Sequence, residues 1–348
     1  MKTLLVLALV GSAACARAEG FSGPVVVTDY VKADGAVDVA AGLQRLINEN
    51  PHRTIWFPDG TYLLTRPIAT PADPKRSVDL RLSNYAILKA AANWTNAEAM
   101  LRLGGIHPAN DIRSVGSCYG LSGGVIDGSG RAAGLSIDSG RETRVRDVSM
   151  KNVTLGVWIK KGANNGSSDA DLSGVNIVGA DPSSSVGVWV EGHDNTLSDM
   201  RIANVLVGVR LSGGGNMLHR IHPLYTGWSG NYEQSIGFEI EGNDNALELC
   251  YSDHFSSAFV FGSGRYAVLE NCIAWWYADN PGKRHLALRA KEGFRAKVTG
   301  LRIGFCGTAA KNGVLESARP EGNGVLRDLR YDRKQVNAGD DYLKFVRE

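Results

Sequence analysis

Apolar and polar residues alternate over short stretches through most of the chain, and the alternation recurs. Gly156-Val157-Trp158-Ile159-Lys160, Gly187-Val188-Trp189-Val190-Glu191, Gly208-Val209-Arg210-Leu211-Ser212, Gly237-Phe238-Glu239-Ile240-Glu241 and Ala258-Phe259-Val260-Phe261-Gly262 share one pattern. Each sets a Gly or Ala before an apolar–variable–apolar triplet. The spacings are 31, 21, 29 and 21 residues. A unit of about 21 residues fits all of them if two units carry insertions of 8 to 10. A second segment repeats in phase with the first. It begins at Leu172, Leu197, Leu218, Leu247 and Leu269, and three residues later come Val175, Met200, Ile221, Cys250 and Cys272. Polar turns join the two segments, and three of them end in Asn195, Asn216 and Asn245. Asn tolerates left-handed backbone and bonds its own main chain, so the reading assigns it to a recurring tight turn.

A fixed period with short alternating strands predicts a parallel β-solenoid. No single coil can bury its apolar face alone, so stacked coils must share one core. Successive strands would lie about 4.8 Å apart, placing like residues in columns along the axis. Period-two alternation points Val157, Val188, Val209, Phe238 and Phe259 inward. It points Trp158, Trp189, Arg210, Glu239 and Val260 outward. Cys250 and Cys272 become stacked core neighbours, read as reduced thiols because a buried free cysteine acts as a small hydrophobe, with a disulfide as the alternative that export would allow.

The N-terminal region follows another period. Val25-Val26-Val27 reads as a strand and Asp34-Gly35 as a turn. Val39, Leu43, Leu46 and Ile47 follow helical spacing, with Asp38 placed to cap the start. Ile55 to Tyr62 reads as strand, turn, strand. A helix here would close the open end of a solenoid, which otherwise exposes strand edges and core.

The run from Tyr30 to Leu64, ending in Phe57-Pro58-Asp59-Gly60-Thr61-Tyr62, resembles the N-terminal cap of the pectin-lyase-like superfamily. With the coil repeats, the resemblance spans most of residues 24 to 335. It implies an all-β, right-handed parallel β-helix and a carbohydrate-active enzyme. The superfamily holds polysaccharide lyases, glycoside hydrolases, epimerases, fructotransferases and phage tailspikes. The chain lacks the paired-aspartate, Gly-His-Gly and Arg-Ile-Lys signature of the polygalacturonase-like hydrolases. It also lacks the Ca²⁺-binding aspartates and neighbouring arginine of typical pectate lyases. The resemblance therefore leaves the reaction open.

Composition adds limits. The chain has 348 residues with 38 Lys+Arg against 36 Asp+Glu, and a net charge of +2 gives no reason to expect nucleic-acid binding. Its 42 glycines suit a turn-rich solenoid. Residues 1–18 read as a secretory signal: Lys2 in a short basic stretch, an apolar run from Leu4 to Val10, and Ala16-Arg17-Ala18 as the cleavage site. Ser12-Ala13-Ala14-Cys15 offers the alternative of a lipoprotein signal ending before Cys15. The apolar run is too short to span a bilayer, and no transmembrane segment is expected. The protein is thus read as secreted, periplasmic or a surface-anchored lipoprotein. Residues 19–348 are read as one domain: a cap over 19–64, coils over 65–335 and a tail over 336–348. The expected state is a monomer or a homo-oligomer, a trimer included.

Aligned on the leucines, the fourth position after each reads Asn176, Arg201, His222, Tyr251 and Ile273. The sixth reads Val178, Ala203, Leu224, Asp253 and Trp275, and the seventh Gly179, Asn204, Tyr225, His254 and Trp276. Consecutive coils thus gather chemistry on one face. The inserted loop after Tyr225 adds Trp228, Tyr232 and Glu233, and Tyr277 and Asp279 follow Trp276. Asp253, His254, His222, Tyr225, Arg201 and Glu233 are the candidate catalytic residues. Trp228, Tyr251, Trp275, Trp276 and Asp279 are the candidate substrate-binding residues. Two chemistries fit. In β-elimination a His or Tyr removes the proton beside a uronate carboxylate that Arg201 neutralises. In hydrolysis Asp253 works with a second carboxylate, Glu233, Asp279 or Glu239. A solenoid that binds glycan without cleaving it is the third reading. The expected partner is a polysaccharide or oligosaccharide, with no metal and no cofactor.

Overall fold

The computed structural model describes residues 23–104, 119–138, 140–161, 167–227, 231–262, 266–276, 285–291, 294–305, 316–317, 323–327, 330–331 and 346–347. The expected leader, Cys15, Cys118 and Cys306 lie outside these residues, as do Trp228, Tyr277 and Asp279.

Each coil runs through three strands that build three parallel faces of a right-handed β-helix. The first face begins at Val25–Val26 and Thr54–Phe57 and runs through Asp171–Ser173, Asn245–Glu248 and Tyr266–Glu270. The second begins at Asp34–Asp38 and Gly60–Leu64 and runs through Asn176–Gly179, Tyr251–Asp253 and Ile273–Trp276. The third is an unbroken ten-stranded ladder from Ile68–Ala69 to Glu316–Ser317. In two coils, Thr196–Ala203 and Met217–Leu224, one eight-residue strand serves both the first and the second face.

The register agrees with the columns read from the sequence. Val157, Val188, Val209, Phe238 and Phe259 are paired in succession and fully buried. Leu172, Leu197, Leu218, Leu247 and Leu269 form the matching column of the first face. The column extends back through Val145, Leu121, Leu80 and Ile55. Cys250 and Cys272 are buried free thiols in the same core, and burial pushes the Cys272 thiol well up. One outward position differs. Val260 is buried, lying in register between the longer Glu239 and Arg289.

The corner between the first and second faces is a single left-handed residue. Gly123, Asp147, Gly174, Asp199, Arg220, Leu249, Asn271 and Gly300 all have positive φ. Each sits two residues after its inward anchor. One αL residue turns an extended chain sharply without lengthening it, which keeps the two strands of a coil adjacent.

The asparagines play a different part from the one expected. Asn195, Asn216 and Asn245 are fully buried, and the positive φ angles fall on Asp194, Gly215 and Asp244 before them. Their side chains form a ladder between coils. Asn216 Oδ1 accepts from the Asn195 backbone N–H and from Asn195 Nδ2, both at 3.0 Å. Asn216 Nδ2 donates to Gly192 O and Asn245 Oδ1. A turn that must face the core can satisfy its main chain only from a stacked neighbour, and the amide carries both donor and acceptor.

At the N-terminal end, helix Ala40–Glu49 presses Leu43, Leu46 and Ile47 onto the core. Asp38 Oδ1 accepts from the Ala40 N–H at 3.1 Å. Gln44 bonds both the N–H and the carbonyl of Ala69 at 2.8 Å, capping the open edge of the third face with one side-chain amide.

Two stability changes follow. Asn216→Ala strips bonds from buried groups on both sides and is expected to cost about 2–4 kcal/mol, read from the urea midpoint. Leu249→Asn keeps the αL corner with a residue that tolerates it. It is expected to stabilise by about 0.5–1 kcal/mol, because Leu249 is exposed and little apolar contact is lost.

Candidate functional site

The second face presents two outward rows. The first reads Val125, Ser149, Asn176, Arg201, His222, then Tyr251, Ile273 and Arg302. The second includes Lys89, Asp127 and Lys151 at one end. Val178, Ala203, Leu224, Asp253 and Trp275 follow it. Residues two apart on a strand share a face, so the fourth and sixth positions after each leucine line one surface.

Three groups meet where His222 and Asp253 approach across neighbouring coils. His222 Nε2 lies 3.4 Å from Asp253 Oδ2, and His254 Nδ1 lies 2.5 Å from Asp253 Oδ1. Asp253 thus stands between two imidazoles. His222 is partly exposed, whereas Asp253 and His254 are buried. The His222 ring stacks on Tyr251 with centroids 4.2 Å apart and planes 10° from parallel. His254 sits at a corner with φ 66°, a strained setting for a non-glycine residue, and its N–H bonds Trp275 O at 2.8 Å. Burial pushes the Asp253 carboxyl up, but hydrogen bonds from His222 and His254 outweigh it and hold the group below the usual carboxylate value. A carboxylate can only accept, so the contact with His222 Nε2 is one in which that nitrogen donates.

Beside this cluster the face sinks into a depression of about 340 Å³. Arg201, Lys151, Asn176 and His222 line it, over a floor of Val178, Ala203 and Leu224. Asp199, beside Arg201 in sequence, is bonded to Arg220, and Glu191 is bonded to Trp158. Neither Arg201 nor Lys151 has an ion pair among the described residues. The depression joins an apolar floor to two cations without ion pairs among the described residues and to the His222 imidazole at its edge.

Of the expected residues, His222, Asp253, His254, Tyr251 and Arg201 come together, with Trp275 next to Asp253 in register. Others lie elsewhere. At the seventh position Tyr225 and Trp276 face inward rather than opening an outward turn, whereas Asn204 is half-buried at a positive-φ corner. Tyr225 and Trp276 are among the largest fully buried side chains. Tyr225 packs on Tyr232 and Phe255, and Trp276 Nε1 donates to Phe255 O at 2.7 Å. The chain must turn here toward the third face, and a large ring fills the corner. Glu233 is exposed on the 3-10 turn Tyr232–Gln234, and the ionic partners of Asp253 are the two histidines. Glu239 belongs to the third face and is ion-paired with Arg210 at 2.6 Å, so it does not pair with Asp253. Trp228 and Asp279 lie outside the described residues. No group of three or more His, Cys, Asp or Glu arranged to hold a metal ion occurs among the described residues.

The sequence reading missed Lys151 and Arg302. Both become visible when the leucine register is carried past Leu172 to Val145 and past Leu269 to Val298. The outward tryptophans of the third face are also accounted for. Trp158 and Trp189 stack at 5.3 Å, with Lys160 over one outer face and Arg210 over the other. Their ring faces are occupied.

No protein-family model and no curated protein sequence matches the chain. Solved structures do. The chain is similar to an endo-xylogalacturonan hydrolase from Aspergillus tubingensis: TM-score 0.61, 14% identity, 91% of this chain and 97% of that one. It is similar to the tailspike protein of E. coli bacteriophage HK620, solved in complex with a pentasaccharide: TM-score 0.62, 12% identity, 91% of this chain but 64% of that one. It is also similar to PfbA, a surface adhesin of Streptococcus pneumoniae: TM-score 0.55, 11% identity, 88% and 90% covered. At such identities the likeness establishes the parallel β-helix fold. No helix among the described residues is long and apolar enough to cross a membrane.

The depressed carboxyl sets a pH dependence. A carboxyl whose folded value lies below the unfolded reference of 3.8 stabilises the fold above that reference and ceases to do so as pH falls through the folded value. Asp253→Asn is therefore expected to melt below wild type at pH 7, with the gap shrinking as pH drops under about 4. Melting temperatures of both proteins across that range check it.

Proposed function

We propose that this chain is an exported carbohydrate-active enzyme that cleaves an acidic polysaccharide or oligosaccharide by β-elimination. The observation that carries the reading is an imidazole held by a buried carboxylate beside two unpaired cations in one depression. Arg201 binds the uronate carboxylate and draws charge from the ring, making the adjacent carbon acid stronger. His222 Nδ1 takes the proton from that carbon. The electron pair forms the new ring double bond, and the glycosidic bond to the leaving sugar breaks. A proton from solvent completes the departing hydroxyl. Asp253 orients His222 and offsets the positive charge it gains, and His254 positions Asp253 from behind. Tyr251 holds the other side of the imidazole, and Trp275 offers an apolar surface to the neighbouring sugar.

Hydrolysis by Asp253 would need a second carboxylate at a set separation. Among the described residues its partners are imidazoles, which favours elimination. The neighbours in fold include both a hydrolase and an adhesin, so the reading stands on the cluster. Export rests on the leader-like segment over residues 1–18.

Incubation with uronate polymers should give the ultraviolet absorbance of an unsaturated uronate together with new reducing ends. His222→Ala should lower that rate by about 10²–10⁴-fold. New reducing ends without the absorbance would replace elimination by hydrolysis. Binding with neither signal would make the protein a glycan-binding solenoid.

A further inference from the structure

Charge on the second face is ordered by coil. Lys89, Asp127 and Lys151 pair in succession in one outward row. The next coil carries Asn176, and the one after it Arg201. Lys89, Lys151 and Arg201 therefore stand on every second coil. None of the three has an ion pair among the described residues. The second-face strands between them carry no cation: Asp127 separates the two lysines, and Asn176 separates Lys151 from Arg201. Past His222, the coil of Tyr251 and Asp253 is followed by that of Ile273 and Trp275, and Arg302 comes next. Arg302 lies four coils beyond Arg201, with its guanidinium over the Trp275 ring. The coil midway between them carries Tyr251 and Asp253 and neither Lys nor Arg, so the alternation of cations runs from Lys89 to Arg201 and stops at the candidate cluster.

Asp127 sharpens the pattern. It ends strand Val125–Asp127 and faces outward. Its Oδ1 accepts from the Ser129 N–H and from Asn152 Nδ2, so the carboxylate is fixed in place. An anion lying over that coil meets a fixed negative charge.

We propose that this face selects a linear glycan running along the helix axis with an acidic group on every second sugar. Each coil advances about 4.8 Å, close to the length of one ring in an extended chain, so two coils match a disaccharide repeat. In that register acidic sugars meet Lys89, Lys151 and Arg201, and neutral sugars meet Asp127 and Asn176. Over the coils from Lys89 to Arg201, a polymer acidic at every residue must set a carboxylate against Asp127, which an alternating one avoids. The inference rests on the proposed action at an acidic glycan, but it concerns binding and is tested apart from cleavage.

The test uses the full-length His222→Ala protein, so that the probes survive. Binding is measured by affinity electrophoresis at fixed ionic strength. Hyaluronan and unsulfated chondroitin carry a uronate on every second sugar. Polygalacturonate and polyglucuronate carry one on every sugar. Two polymers of each kind separate charge spacing from sugar identity. The alternating pair is expected to bind about fivefold or more tighter than the fully charged pair at equal chain length. Lys89→Gln and Lys151→Gln should each weaken the alternating polymers by about two- to fivefold. Asp127→Asn should narrow the gap by admitting the fully charged chains. Circular dichroism of each variant confirms that it is folded. Equal or tighter binding of the fully charged polymers, no change on Lys89→Gln, or no binding to any of the four would overturn the inference. Cleavage assays on wild type report on the elimination reading independently of all these outcomes.

Discussion

Every feature of this molecule rests on in-register parallel pairing along one axis. A coil of about 21 residues has too little apolar surface to hold itself together, and it gains a core only by lying on another coil. The main-chain ladder fixes the distance and the phase of that contact. Like residues are then forced above like residues. Valines and leucines form columns that bury completely, and the two cysteines stack as ordinary core side chains. Polar groups can enter the interior only if the coil above answers them, as Asn195, Asn216 and Asn245 do for one another. The corners obey the same constraint. A left-handed residue recurs at one position because each coil must bend where its neighbours bend.

The same constraint organises the outside. Outward residues also fall into lines, so a single change of residue type from coil to coil becomes a pattern in space. On the third face the line closes on itself: two tryptophans stack and cations cover both ends. On the second face it stays open. Unpaired cations there lie over an apolar floor, and next to them Asp253 sits below its ordinary protonation range between two histidines. A carboxylate so placed is poorly solvated and already committed, which suits holding an imidazole better than attacking a sugar.

Much of the fold was legible because it repeats. The leucine and glycine-valine positions carry the period, and their register in the structure is the one the spacing implies from Leu172 to Leu269 and from Val157 to Phe259. The helix over Ala40–Glu49 showed in the change of period and in Asp38 before it. The rows that hold Arg201, His222, Tyr251 and Asp253 were legible for the same reason, since position within a repeat fixes position on a face.

What the sequence alone could not determine is where each coil bends. Alternation tells inward from outward along a straight strand, but at a corner the next residue changes sides. Tyr225 and Trp276 go into the core because the alternation of their strands runs on through that position, while His254, at the same repeat position, sits at a positive-φ corner against Asp253. Glu239 and Asp253, both acidic and 14 residues apart, end on different faces because two corners and a first-face strand stand between them. The asparagines look like turn formers and act as rungs, since only stacking brings one amide to the next. Periodicity is a local property and was present in the residues from the start. Which side chains meet across coils and around corners is decided by the three-dimensional path of the chain.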